Sequence, residues 1–411
     1  DCNGVTVEVL LARPTRDPEL AVELVVRQAS AVVSSTLARP DRRVLIAIAD
    51  PEVWTPSSPS LYDLDVRLLR VNSPLPTDTA NLVREVPLRG DIEAARYANV
   101  TASGRPLDEV RCYFGLRHIE LGAHPDSGHP TLLLNGTPEF QLGTLDQGWW
   151  PDGLHTPPSD AAMIHEIEFL KAAGFNTIRK HIKVEPARYY YHCDRLGLLV
   201  WQDMPSGFLP AQFVAPNDQN EGLRRSSSTA DYEHELQQMI RGLRCHPCIV
   251  VWVLHNEGWG QFDTHRLSEL IKLLDPTRVV DAVSGWLDLG AGDLIDRHDY
   301  EPTPAPPAPD GRRALVIGEY GGIGWPIDGH LWDPEMRNWG YQTFHHAAAF
   351  EQAYTQTTAA IIDMYRNHNL CAAIYTQTTD VEGEVNGLLS YDRKVEKLPR
   401  EWFAGVHAPL R

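Results

Sequence analysis

A chain of 411 residues, 43% hydrophobic and 22% charged, has room for a barrel of ~250 residues and one smaller domain beside it. Its 55 acidic residues against 37 basic ones leave a formal charge of −18, a field that repels phosphate backbones and anionic lipid and excludes nucleic acid as the expected partner. No apolar run approaches the ~20 residues of a membrane helix, so no membrane partner is expected and a neutral ligand suits the charge.

The chain starts at Asp1 with neither an initiator Met nor a signal-like segment, which reads as a processed or truncated product whose compartment is not encoded here. Residues 1–118 read as short β segments. Val5, Val7 and Val9 alternate with Thr6 and Glu8, 61–66 alternates likewise, and 44–48 is a compact apolar run. Proline turns at Asp50-Pro51 and around Pro56 and Pro59 separate them, which predicts an antiparallel β-sandwich. The polar stretch 73–109 is expected to be a long loop or insertion.

From residue 119 to 411 the texture changes to strand and helix in alternation. Eight strands are predicted, over 140–146, 176–181, 198–203, 249–256, 278–283, 293–298, 314–319 and 371–377. Helical stripes lie between them, as at Leu236, Met239, Ile240 and Leu243, and at Leu267, Leu270, Ile271 and Leu274. A third stripe, Met163, Ile167 and Leu170, follows Ser159, a candidate N-cap. Apolar strands alternating with amphipathic helices predict a covered parallel sheet, and eight units favour a closed (β/α)8 TIM barrel.

A barrel of this kind carries its chemistry at the C-terminal ends of its strands. The run 248–254 leads straight into His255-Asn256-Glu257-Gly258, and 314–317 leads into Gly318-Glu319-Tyr320-Gly321. A lone Glu after a strand is usually a solvated loop residue. Two of them delivered to one mouth, beside glycines and the amide of Asn256, are what glycoside hydrolysis needs: one carboxyl protonates the leaving oxygen, the other attacks or activates water. Cys245-His246-Pro247-Cys248 matches a redox pattern by letters alone and has no second pair to complete a zinc site. Without G-x-G-x-x-G, a Walker loop or H-E-x-x-H, no cofactor and no metal are expected.

Several segments together resemble glycoside hydrolase family 2, and the similarity covers nearly the whole chain. Tyr113-Phe114-Gly115-Leu116-Arg117 resembles the junction of the family's immunoglobulin-like domain with its barrel. Gly174-Phe175-Asn176-Thr177-Ile178-Arg179 resembles strand two, and the stretch from Tyr191 to Val200 strand three. Asn256-Glu257 is similar to the acid/base motif, and Gly318-Glu319-Tyr320-Gly321 to the nucleophile motif. The resemblance implies an immunoglobulin-like sandwich followed by a catalytic barrel and an exo-glycosidase that retains anomeric configuration. It implies that Glu257 is the general acid/base, Glu319 the nucleophile, and Asn256 the partner of the substrate 2-hydroxyl. The jelly-roll domain of complete members is not among these residues, which leaves one loop of the sugar pocket unaccounted for. The segment after strand two departs from the galactosidase-like pattern, and Val200-Trp201-Gln202-Asp203-Met204 is nearer the mannosidase-like form of strand three while the acid/base segment is not, so the sugar stays open and furanoside-cleaving members remain an alternative.

Further residues are expected around the pair. Arg179, His181 and Asp203 either bind sugar hydroxyls or form a charge network that fixes the carboxylates. Asp146 and Trp149 follow strand one, where either Trp149 or Trp150 is a sugar platform and the other packing. Trp259 and Trp286 are further aromatic candidates. His298 and Tyr300 follow strand six, where a hydrogen bond keeps Glu319 ionised. The resemblance implies that Tyr375 or Gln377 stands where many members of that family have a Trp floor. A carbohydrate substrate is the expected partner, with room left for a homo-oligomer. A carbohydrate-binding protein on a dead barrel and a metal-dependent hydrolase are the competing readings.

Overall fold

The computed structural model describes residues 4–13, 17–40, 43–72, 105–206 and 226–411, and the chain divides into two compact units, Asp1–Arg117 and His118–Arg411.

The first unit is antiparallel throughout. Gly4–Glu8 pairs with Arg43–Ala47, and a four-stranded sheet runs in the order Ala31–Ala38, Leu20–Gln28, Tyr62–Arg70, Asp108–Phe114. Alternation puts Val22, Leu24, Val26, Tyr62, Leu64 and Phe114 on one face of the larger sheet. Val5, Val7, Val44 and Ile46 of the smaller sheet pack into the same core, making a sandwich. The rings of Tyr62 and Phe114 stack at 5.3 Å in its middle. Of the stretch expected to be a long loop, residues 73–104 lie outside the described residues. Its end is a strand instead, because Asp108 and Glu109 already pair with Leu68 and Arg67.

The second unit opens with a small antiparallel sheet, Ile119–Ala123, Pro130–Leu134 and Thr137–Pro138, and continues into the barrel. Its eight strands, numbered here one to eight, are Gln141–Asp146, Thr177–Lys180, Leu199–Asp203, Ile249–Val253, Val279–Asp281, Leu294–Asp299, Ala314–Gly321 and Leu370–Thr376. All pair in parallel in the order five-four-three-two-one-eight-seven-six. Between strands five and six Asp293 carries the contact: its N–H bonds the Val280 carbonyl at 2.8 Å, and its Oδ2 accepts from the Val280 N–H at 2.7 Å. The ring is thus nearly closed.

Helices Asp160–Ala172, Ala187–Leu196, Ser226–Leu243, Thr264–Leu274 and Ala347–Asn367 cover the strands, with Arg400–His407 after the last. Ser159 caps the first by accepting from the Ala162 N–H at 3.2 Å. Leu236, Met239, Ile240 and Leu243 are buried along one face of Ser226–Leu243, and Leu267 and Ile271 are buried in Thr264–Leu274. Residues 282–293 and 300–313 carry no helix; the latter is broken by prolines from Pro302 to Pro309, which remove helical N–H donors. Cys245 is exposed and Cys248 buried, both as free thiols. Between them His246 bonds Asp194 at 2.8 Å and ties helix Ala187–Leu196 to strand four. No helix among the described residues is long and apolar enough to cross a membrane.

Candidate active site

Arg179, the last residue but one of strand two, has no solvent exposure and joins strand three, strand seven and the segment after strand four. Its guanidinium grips Asp203 of strand three with two bonds, Nε to Oδ1 at 3.0 Å and Nη2 to Oδ2 at 2.9 Å. Nη2 also donates to Asn256 Oδ1 at 2.7 Å, while Nη1 reaches the Gly318 carbonyl at 3.1 Å and Glu319 Oε1 at 3.3 Å. Burial pushes the Asp203 carboxyl up, but the charges and hydrogen bonds of Arg179 and His181 together outweigh it and hold the group below the usual range. Because Arg179 claims the amide oxygen of Asn256, the Nδ2 donor is what that residue can offer a substrate.

After strand four the chain is anchored to the end of strand five. Glu257 N–H donates to the Ser284 carbonyl at 2.8 Å, and Ser284 N–H to the His255 carbonyl at 2.9 Å. Glu257 takes a φ of +52°, a left-handed turn that few non-glycine residues adopt, and its side chain keeps 17% exposure. Its neighbour His255 faces away, bonding the Phe262 carbonyl at 3.1 Å.

His298, from strand six, stands between the two carboxylates. Nδ1 lies 2.9 Å from Glu257 Oε1 and 3.6 Å from Glu319 Oε1, and Nε2 meets Ser284 Oγ at 2.8 Å. Ser284 in turn donates to Asp296 at 2.5 Å, and the Gly318 N–H donates to the other oxygen of Asp296. Gly285, with φ +95°, lets the backbone lie against the imidazole; a Cβ there meets His298 Nδ1 at 2.8 Å. Burial pulls the imidazole pKa down, yet the Glu319 charge, the hydrogen bond to Glu257 and the Asp296 charge together prevail and raise it.

Glu319 is almost wholly buried at the end of strand seven. Burial raises its pKa, but His298, Arg179 and His181 together with the Tyr300 hydroxyl, which donates to Oε2, hold it below the ordinary glutamate value. The ring of Tyr300 lies flat on Tyr341, with centroids 3.6 Å apart. His181 Nδ1 is 3.3 Å from Asp203 Oδ2 and 4.0 Å from Glu319 Oε1. Glu257, His298 and Glu319 present ligand atoms within 4.8 Å of one another, the spacing of a metal triad. Both oxygens of Glu319 are engaged, however, and the Arg179 cation beside one of them opposes a second cation in the same place. The arrangement suits proton transfer and carboxylate attack better than ion binding.

The other expected residues are distributed as follows. Asp146 is not brought to the pair: Lys180, fully buried, bonds it at 2.5 Å, and the Gly148 N–H at 2.7 Å. Tyr375 lies in the core, packed on Tyr320 and Tyr354 with its hydroxyl against the Ile323 backbone, so it forms no exposed floor. Trp150 is buried beneath Arg393 at 4.1 Å, while Trp149 is half-buried against His155 and Trp332. Trp259 and Trp286 stand on the loops after strands four and five, 41% and 53% exposed. Gln377 accepts from Gln147 at 3.0 Å and donates to Glu384 at 3.0 Å and Asn386 at 2.9 Å. Asp296, Asp281, Tyr341 and Glu384 were not singled out from the sequence. Asp281 is a fully buried carboxyl beside Asp296; burial and that neighbour raise its pKa far above the usual range.

Residues 158–301 match the model of the family described as Glycosyl hydrolases family 2, TIM barrel domain. The chain is 24% identical over 343 residues to a β-galactosidase of Vibrio cholerae, covering 76% of this chain and 29% of that protein. It is 26% identical over 317 residues to β-galactosidase 2 of Enterobacter cloacae, covering 72% and 26%. It therefore spans less than a third of the length of these curated relatives. Among solved structures, the Bifidobacterium dentium β-glucuronidase complexed with coumarin-3-O-glucuronide superposes with a TM-score of 0.68 at 19% identity, over 95% of this chain and 61% of that one. The β-galacturonidase of Eisenbergiella tayi bound to galacturonate does so with a TM-score of 0.62 at 18% identity, over 95% and 66%. These likenesses bear on the fold.

Proposed function

We propose that this chain, which belongs to glycoside hydrolase family 2, is a retaining exo-glycosidase in which Glu257 is the general acid/base and Glu319 the nucleophile. One observation carries the reading: the two carboxylates share His298, with oxygens within 4.8 Å of each other. Retaining pairs stand about 5–5.5 Å apart and inverting pairs roughly 6.5–9.5 Å, to admit a water. The surroundings divide the roles. Arg179, Tyr300 and the two histidines keep Glu319 ionised for attack, whereas Glu257 is more exposed and is bonded by a group that can exchange protons.

In the first step the Glu319 carboxylate attacks the anomeric carbon while Glu257 gives its proton to the departing oxygen. In the second, the Glu257 carboxylate takes a proton from water, which displaces Glu319 from the ester. Asn256, fixed by Arg179, offers Nδ2 to the sugar 2-hydroxyl. The relatives' names support a β-glycoside with a terminal galactosyl or uronosyl group as the substrate class.

Azide separates the roles. With an activated aryl glycoside, Glu257→Ala keeps its first step, and azide, needing no base, speeds the second and gives a glycosyl azide of retained configuration. Glu319→Ala turns over only with azide filling the cavity, giving the inverted azide. The opposite stereochemistry in the two variants reverses the assignment, and unimpaired hydrolysis by Glu319→Ala removes it.

A further inference from the structure

A third carboxylate at this mouth has no part in that double displacement. Glu384 follows strand eight in a tight hairpin, its N–H and carbonyl both bonded to Val381, at 2.9 and 3.0 Å. Two amide donors from different strand ends, Gln147 Nε2 and Gln377 Nε2, both reach its Oε2 at 3.0 Å, and Asn386 steadies Gln377 from behind. The group is thus held in place, with Oε1 taking no bond from either glutamine. It is half-buried, and burial pushes its carboxyl above the ordinary glutamate value, a shift that the two glutamine donors oppose and the Glu319 charge adds to. The backbone of Glu384 bridges to Trp339, whose ring packs at 5.7 Å against Tyr341, the ring stacked on the Tyr300 that serves Glu319.

No lysine or arginine among the described residues pairs with Glu384. The cations of this mouth are engaged elsewhere: Arg179 by Asp203 and Glu319, Lys180 by Asp146 and Glu185, Lys183 by Glu185 and the Gly148 carbonyl. Leaving a half-buried carboxylate unpaired beside a nucleophilic one is unfavourable. Something must use it. A carboxylate only accepts hydrogen bonds, and a ring with free hydroxyls is a partner of donors.

We propose that Glu384 is the specificity-determining group of the sugar pocket: Oε1 accepts ring hydroxyls of a neutral terminal sugar, and its charge turns away uronic acids. This rests on the glycosidase reading above and narrows its substrate class to neutral, galactoside-like glycosides, leaving out the uronides.

The test uses the purified chain with p-nitrophenyl glycosides, neutral and uronic, in pyranose and furanose forms. The unmodified protein is expected to prefer its best neutral glycoside over any uronide by about 100-fold or more in kcat/KM. Glu384→Gln, nearly isosteric, is expected to lose about 10- to 100-fold in kcat/KM on that substrate, mainly through KM. Its preference over the uronide is expected to narrow by about tenfold, with an unchanged melting temperature. Glu384→Asp is the second variant: it keeps the charge and is expected to keep the discrimination even where KM rises. A uronide as best substrate, or a Glu384→Gln variant with unaltered KM and selectivity, overturns the proposal. In those cases Glu319→Ala still abolishes turnover and the glycosidase reading stands. Absence of turnover on every glycoside by the unmodified protein overturns both.

Discussion

Tyr300→Phe isolates one bond in the site. The hydroxyl donates to Glu319 Oε2, and the ring is clamped flat against Tyr341, so a phenylalanine ring keeps its seat and only the donor is lost. A hydrogen bond to a charged group contributes about 1.5–3 kcal/mol. At 1.36 kcal/mol per factor of ten this converts to roughly 10- to 150-fold in rate. Arg179 and His298 remain on Oε1, which places the expectation nearer the lower end. The loss falls unequally on the two steps of the proposed cycle. The bond stabilises the carboxylate, which is present before attack and regained on departure, but not the uncharged ester between them. Without it the carboxylate is the poorer leaving group, so the glycosyl-enzyme accumulates. With an activated aryl glycoside, kcat is expected to fall about tenfold or more, with a parallel fall in KM and a burst of phenolate in the first turnover. The acid limb of kcat/KM is expected to move to higher pH, because one of the influences lowering the Glu319 pKa is gone. An unchanged acid limb together with a raised KM and no burst refutes the reasoning.

Two stability measurements follow from positions around the site. A Cβ on Gly318 runs into the Asp296 carboxylate, so Gly318→Ala is expected to lower stability by about 1–3 kcal/mol in urea unfolding. Gly405→Ala, in helix Arg400–His407 with no atom within 4 Å of the new methyl, is expected to raise stability by about 0.5–1 kcal/mol; equal effects from the two substitutions contradict the packing account. His407 is buried with Nδ1 on the Ala173 carbonyl at 2.8 Å and Nε2 on the Tyr354 hydroxyl at 3.0 Å, and burial pushes its pKa down to about 4. Its folded pKa lies below its unfolded one, so its contribution is present above pH 6.5 and is lost as pH falls towards 4. That amounts to about 3 kcal/mol, which His407→Gln is expected to remove from the pH dependence of the urea midpoint.

The barrel strands were legible because each is a short apolar run between polar turns, and the structure keeps all eight in register with those runs. The strand read over 249–256 ends at Val253, since Leu254 bonds across to Asp281 and the chain then turns through Glu257 to reach Ser284. An apolar pattern cannot signal a left-handed turn made by a glutamate. Side-chain partnerships were much less legible. Arg179 and Glu319 meet across 140 residues of sequence, and the sequence left open whether Arg179, with His181 and Asp203, serves the carboxylates or the sugar. One residue of strand two serves the carboxylate pair, and the next serves Asp146 on another side, because side chains alternate. Tyr375 illustrates the reverse error: placed after an apolar strand it reads as a pocket floor, yet its hydroxyl satisfies a buried backbone pair at Ile323. Glu384, unlike Tyr375 and Gln377 before it on the same segment, carries no local signal in the sequence. The hairpin that turns Glu382 outward, with φ +48°, brings Glu384 to the glutamines.

The shared histidine has a consequence for how charge moves in the proposed cycle. Before attack the negative charge sits on Glu319 and the proton on Glu257. Once the ester forms, Glu319 is neutral and Glu257 carries the charge. The sum over the pair does not change, only its location, and His298 Nδ1 lies within 3.6 Å of an oxygen on each. When protonated, this imidazole, with Nε2 held by Ser284, itself fixed by Asp296, can favour whichever carboxylate is ionised with little displacement. The dipoles and charges of the site therefore need no rebuilding between the two half-reactions, which is the condition under which fixed electrostatics stabilise a transition state most effectively. A histidine at this point lets one set of buried partners serve two successive anions.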